Sequence, residues 1–151
     1  IEKIKTISSN IFTPEISLKK GVYTKQKPNE KDKIDIVNAI KAINDSGDYS
    51  FSQGAISRNN KVIAIEKKTG TAAMLKNIKK KNKNFNGVLV KFPKKKQDLR
   101  IDLPTVGLET IKQCKKAGLK GLVLKHKKNI FLDKKASIIY ANKNKIFILV
   151  K

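Results

Sequence analysis

At 151 residues, with 39% apolar and 31% charged positions, the chain is long enough for one domain with a buried core and is neither a membrane span nor a disordered tail. Its net charge of +23 points at first to nucleic acid, yet 33 of its 35 cations are lysine, and Lys, Asn and Ile together make up 66 of 151 residues. That skew is what A/T-rich coding produces on an ordinary scaffold, and with two arginines, 6% aromatics and no Trp the usual nucleic-acid readers are scarce. The longest apolar runs, such as Ile146 to Val150, fall far short of a bilayer crossing. A single Cys114 excludes an intrachain disulfide framework, and with the lone His126 it makes a poor zinc site. The first residues are mostly polar and carry no visible signal peptide.

Residues 1–30 read as a linker or extended arm, with Pro14, Gly21 and Pro28 and no sustained periodicity. A first helix is predicted over 31–45, where Ile34, Val37, Ile40 and Ile43 recur near helical spacing. Two strand-like runs, 49–57 and 61–66, flank Asn59-Asn60, a pair that tolerates positive φ and so predicts a hairpin. Thr69-Gly70-Thr71 opens a second helix, about 72–82, with Met74, Leu75 and Ile78 as core. Residues 85–92 read as a buried strand, 93–104 as a polar loop in which Lys94-Lys95-Lys96 is a solvated turn, and 108–117 as a third helix stopped by Gly118. Short strands follow at 121–125 and 129–132, Asp133 is placed to cap a fourth helix to about 142, and 146–150 closes the chain as a strand. Cys114 reads as a semi-buried helix residue and His126 as a solvated loop residue. The fold class expected is α/β: a mixed sheet flanked by helices, one domain with an extended N-terminal arm.

Two places could carry chemistry. If 98–102 is extended, Asp98, Arg100 and Asp102 point to one side. The carboxylates suit Mg²⁺, Arg100 could clamp a phosphate, and Lys91 could add a point charge. The same spacing also fits a surface ion-pair ladder of little energetic weight. Thr69-Gly70-Thr71 sets a turn and a helix start where backbone N–H groups could meet an anion, although it is no Walker A sequence and an ordinary helix cap fits as well.

The run 90–107 resembles the LpxI-type UDP-2,3-diacylglucosamine pyrophosphatases, whose pattern is close to V-K-x-x-K-x-x-Q-D-x-R-x-D-L-P-x-x-G. Val90, Lys91, Lys94, Gln97, Asp98, Arg100, Asp102, Leu103, Pro104 and Gly107 match it. Gly21-Val22, Lys27-Pro28, Gln53, Ala64-Ile65-Glu66, Ala117-Gly118-Leu119 and Gly121 extend the likeness to about residues 20–151, the family's C-terminal domain. Departures are Ser50 and Ser52 within a D-x-G-Q motif, and Thr69 and Ala72 where the family has Glu and Asp in E-G-T-D-A-M.

The resemblance implies Mg²⁺-dependent hydrolysis of UDP-2,3-diacylglucosamine to UMP and 2,3-diacylglucosamine 1-phosphate (lipid X), a step of lipid A biosynthesis. It implies a division in which 1–27 is an arm from an N-terminal nucleotide-binding domain absent here and 28–151 is the catalytic domain that holds the acylated sugar phosphate. Asp98 would be the catalytic carboxylate, Asp98 and Asp102 the metal ligands, and Lys91, Gln97, Arg100, Gly70 and Thr71 the substrate-binding residues. The partners implied are the lipid-linked nucleotide sugar, the missing domain and peripheral contact with the inner membrane from a cytoplasmic location, with room for a homodimer. Two other readings stand beside it: a degenerate relative that binds an acylated sugar phosphate without cleaving it, which Thr69 and Ala72 favour, and a basic nucleic-acid-binding domain.

Overall fold

The structure is a computed structural model that describes residues 7, 11, 13–46, 52–78, 85–93, 98–100 and 102–151. Eight strands and four helices are formed among them: β1 (Gly21–Val22), α1 (Glu30–Asp45), β2 (Gly54–Arg58), β3 (Lys61–Ile65), α2 (Gly70–Lys76), β4 (Val88–Lys91), β5 (Thr105–Val106), α3 (Leu108–Lys116), β6 (Gly121–Leu124), β7 (Ile130–Phe131), α4 (Lys134–Lys143) and β8 (Phe147–Val150). Six strands make one sheet in the order β1-β8-β6-β4-β2-β3, and β5 and β7 make a second, two-stranded one. The centre, β4-β6-β8, is parallel, while β2, β3 and β1 join antiparallel, so the sheet is mixed as expected.

Parallel central strands need both faces covered, and the buried runs Val88–Lys91 and Gly121–Leu124 supply two apolar faces. On one face Ile36, Ala39 and Ile43 of α1 pack against Ala55, Val88, Val90, Val123 and Phe147. On the other, α2, α3 and α4 pack through Met74, Leu75, Ile111, Cys114 and Ala141 against Ile56, Leu89, Leu122 and Ile148. Gly121 is required where β6 meets β8, because a Cβ there would lie 2.0 Å from the Phe147 ring.

Helix α1 begins in a capping box. Asp32 N–H donates to Asn29 Oδ1 (2.9 Å) and Asn29 N–H donates to Asp32 Oδ2 (2.8 Å), an arrangement that contributes about 1 kcal/mol. Its buried face is only partly the one expected: Ile43 is in the core and Ile40 packs against it, but the other two positions are not. Ile34 and Val37 are 46% and 57% exposed, and the sheet instead meets Asp32, Asp35, Ile36, Ala39 and Ile43. Asp35 belongs inside because it accepts from Ser57 Oγ (2.7 Å) and the Asn60 backbone (2.8 Å), which ties the helix to the hairpin. That hairpin turns as expected, with both Asn59 and Asn60 at positive φ. Arg58, buried at its end, donates to the carbonyls of Ala117 (2.7 Å) and Asn86 (3.2 Å).

The arm is described from residue 13 apart from Ile7 and Ile11, and its later part lies on the body. Leu18 is 1% exposed within the core, and β1 pairs with β8. Asn129, fully buried, clasps it: Leu18 N–H donates to Asn129 Oδ1 (3.0 Å), and Asn129 Nδ2 donates to Lys125 O (2.7 Å) and Leu18 O (3.3 Å). Asp133 precedes α4 but does not cap it with its side chain. It sits in the left-handed region (φ 48), and its backbone carbonyl accepts from Ser137 N–H. Cys114 is fully rather than half buried. His126 is exposed as expected, and its Nδ1 accepts from Lys20 N–H (2.9 Å).

Candidate functional site

The register of the sheet brings three distant segments to one end. Gly54 of β2 faces Lys91 of β4, and Ala55 faces Ile65 of β3, so Gln53, Glu66 and Lys91 all leave the sheet on the same side. Glu66 is buried there. Its Oε1 accepts from Thr71 Oγ1 (2.6 Å) and lies 3.8 Å from Lys91 Nζ; its Oε2 accepts from Gln53 N–H (3.2 Å). Lys91 Nζ in turn donates to Thr71 Oγ1 (2.5 Å). The Gln53 side chain continues the chain of contacts outward, donating through Nε2 to Asp102 Oδ2 (3.0 Å).

The backbone around Glu66 is fixed as well. Its N–H donates to Gly54 O (2.8 Å), and Ser52 Oγ donates to its carbonyl (2.6 Å). Gly54 makes room for the carboxylate, since a Cβ there would come within 2.9 Å of Glu66 Oε2. Burial pushes the Lys91 ammonium below the ordinary lysine range, opposed by the charges of Glu66 and Asp102. Thr71 stands at the start of α2, which follows a turn in which Gly70 takes φ +82 and Thr69 makes no side-chain cap.

The expectation of an extended 98–102 segment is corrected. Asp102 N–H donates to Asp98 O (3.1 Å), so the chain turns there. Asp98, Arg100 and Asp102 consequently do not form a one-sided ladder. The Arg100 side chain donates to both oxygens of Asp98, from Nε (2.9 and 3.2 Å) and from a terminal nitrogen (2.7 Å), while Asp102 is met by Gln53. The pair is open to water, at 38% and 59% side-chain exposure, and Arg100 holds the Asp98 carboxyl down at about 2. A bridge so exposed contributes little to stability.

Of the expected site residues, Lys91 and Thr71 meet directly, Asp102 joins them through Gln53, and Gly70 starts the helix that carries Thr71. Asp98 and Arg100 face each other on the turn that leads to Asp102, and Gln97 lies outside the described residues, as do Ser50 and Lys94 to Lys96. Gln53 and Glu66 matched family positions in the sequence but were given no role. The Asn59-Asn60 hairpin was the signal that could have found them, because it folds Glu66 back beside Gln53.

No group of three or more His, Cys, Asp or Glu placed to share a metal ion occurs among the described residues. Mg²⁺ commonly takes one or two carboxylates and completes its shell with water and substrate phosphate; here both Asp98 oxygens accept from Arg100, and Asp102 Oδ2 accepts from Gln53. Beside α2, a cavity of about 510 Å³ is lined by Ala72, Ala73, Leu75, Ile78, Glu109 and Lys116, among others. Position 72, acidic in the family pattern, thus belongs to a cavity wall between α2 and α3. No helix among the described residues is long and apolar enough to cross a membrane.

A buried lysine–carboxylate array at one end of a mixed sheet, with a second carboxylate turn beside it, defines an α/β domain with a polar site built into its sheet. Its sequence places it further: the family model of the LpxI C-terminal domain matches residues 19–149, and the chain belongs to that family. The match begins at residue 19, ahead of the boundary at 28 read from the sequence, and takes in β1. The UDP-2,3-diacylglucosamine pyrophosphatase LpxI of Caulobacter vibrioides is 33% identical over 142 residues, which is 89% of this chain and 51% of the relative. The chain therefore spans about half the length of the curated relative it matches.

Proposed function

We propose that the chain is the part of a UDP-2,3-diacylglucosamine pyrophosphatase that holds the acylated sugar phosphate and contributes the catalytic carboxylate. The observation that carries the reading is the gathering of Lys91, Thr71 and Asp102, joined through Glu66 and Gln53, at one end of the sheet in a chain of this family. In the reaction, water adds to one phosphorus of the diphosphate and the bridging P–O bond breaks. UMP leaves with one phosphate, and the other stays on 2,3-diacylglucosamine.

Charge builds on the phosphate oxygens in such a step, and fixed cations and N–H groups offset it. Lys91 and Arg100 supply the cations, and Thr71 offers a backbone N–H at the start of α2, where Gly70 shapes the turn and gives its own N–H to Lys67 O. Asp98, fully ionised at neutral pH, orients the water or holds Mg²⁺ together with Asp102. When bound, Mg²⁺ would neutralise phosphate charge and help to activate the water. Gln97 adds a polar contact to substrate. The apolar wall beside α2 suits part of an acyl chain. The acyl groups and the lysine-rich surface favour peripheral contact with an anionic cytoplasmic membrane face, and an N-terminal nucleotide-binding half completes the enzyme.

A second reading, binding without hydrolysis, is favoured by Thr69 and Ala72, which leave two family carboxylates unreplaced. The first test is the melting temperature of the chain with lipid X and Mg²⁺ across a salt series, beside an RNA oligonucleotide. A shift specific to lipid X that Asp98→Ala alters supports the site. A shift with RNA alone that fades as salt rises overturns it in favour of a nucleic-acid-binding domain. UMP release by the chain joined to an N-terminal half then separates the enzyme from the binder. The double substitution Thr69→Glu/Ala72→Asp should raise turnover if the lost carboxylates limit it.

A further inference from the structure

We propose that Glu66 is a positioning residue of this site, whose carboxylate holds Lys91, Thr71 and Gln53 in one fixed array and sets Asp102 through the Gln53 side chain. The proposal rests on the reading of Lys91 and Asp102 as ligand-facing groups, and deepens it. Both Glu66 oxygens are committed: one to the Thr71 hydroxyl and the Lys91 ammonium, the other to the Gln53 backbone. Because the Thr71 hydroxyl donates its one proton to Glu66, its lone pairs turn to Lys91, which donates to it. The carboxylate thus fixes the direction of the hydroxyl as well as the place of the ammonium. One of the three Lys91 donors is spent on Thr71, and the ammonium keeps further donors for a phosphate.

Three features separate this from a chance ion pair. The residue is 8% exposed and its own backbone is held at both N–H and carbonyl, so the carboxylate has little freedom. Gly54 leaves the space it occupies. A buried ion pair is weak evidence for stability, since well-packed apolar side chains often do as well, so its place beside the site argues for orientation. Groups that must meet a ligand gain when their geometry is set in advance. The charged groups that act on Lys91 are Glu66 and Asp102.

The test compares Glu66→Gln and Glu66→Asp with the parent chain by NMR and by lipid X affinity. The Lys91 ammonium resonance is identified by its loss in Lys91→Met. In Glu66→Gln the Lys91 ammonium protons should exchange about tenfold faster and the Gln53 backbone amide should shift, because the charged acceptor is gone. Lipid X affinity should fall about tenfold, and Glu66→Asp should restore most of it. A folded Glu66→Gln protein with Lys91 and Gln53 resonances unchanged overturns the proposal. If Glu66→Gln does not fold, Thr71→Val cuts the hydroxyl link while keeping the carboxylate, and an unchanged Lys91 exchange rate there overturns it equally. The NMR readouts need no ligand. Expected resonance changes in a chain that fails to bind lipid X therefore support the positioning role and reject only the ligand.

Discussion

Two carboxylate centres share one end of the sheet and are built in opposite ways. Glu66 is buried, is held through both oxygens and its own backbone, and faces a lysine that is 7% exposed. Asp98 stands in water on a turn and meets one partner, Arg100, at 2.7 Å, two residues along the chain. Removing a partner from the first leaves a buried charge unanswered; removing one from the second lets water take its place. One centre is therefore a fixed frame, and the other is free to exchange its ion pair for a ligand at small cost.

Breaking the buried centre should have the largest effect. Lys91→Met should destabilise the chain by about 3–5 kcal/mol in urea unfolding, and adding Glu66→Leu should recover much of the loss, since the double variant leaves no lone buried charge. If the two losses simply add, the pair is not coupled as described. Gly54→Ala comes next, at about 1–3 kcal/mol, because the new Cβ meets Glu66 Oε2 at 2.9 Å. An unchanged midpoint would mean that the carboxylate has room to shift.

At the exposed centre, Arg100→Ala should leave the unfolding midpoint where it was and move only the Asp98 titration, from about 2 back toward the ordinary 3.8. The sign follows from a depressed carboxyl. Whatever the pair contributes is present above pH 3.8 and is lost as pH falls toward 2. Carbon-detected NMR of the Asp98 carboxyl reads this directly, and an Asp98 titration midpoint unmoved by the substitution would reject Arg100 as the cause. The smallest effect concerns Cys114, fully buried with its thiol pushed up to about 12. It should resist alkylation in the native state and react on unfolding.

What could be read in the sequence follows the same division. The run from Lys91 to Asp102 was legible because its residues are near neighbours along the chain. The role of Glu66 was not, because it depends on the pairing of β2 with both β3 and β4. The hairpin was visible in Asn59-Asn60, while β1 and β5, two residues each, exist only through distant partners and leave no local pattern. Helix α1 was found, and Ile40 and Ile43 lie on its packed face, but the face is rotated from the one expected. Apolar spacing chose Ile34 and Val37 for the core, whereas the buried face includes Asp32 and Asp35, acids that the sequence alone gives no reason to bury. Their partners are Lys120 on the approach to β6 and Ser57 in β2.

The clasp made by Asn129 has a consequence for proteolysis. A protease needs a stretch of backbone free to enter its cleft. From Leu18 to Tyr23 the backbone is bound to Asn129, to His126 and to β8. Cutting there must wait until the edge of the sheet opens, so its rate should follow the opening of the fold itself. A trimmed product of limited digestion should therefore still begin ahead of Leu18.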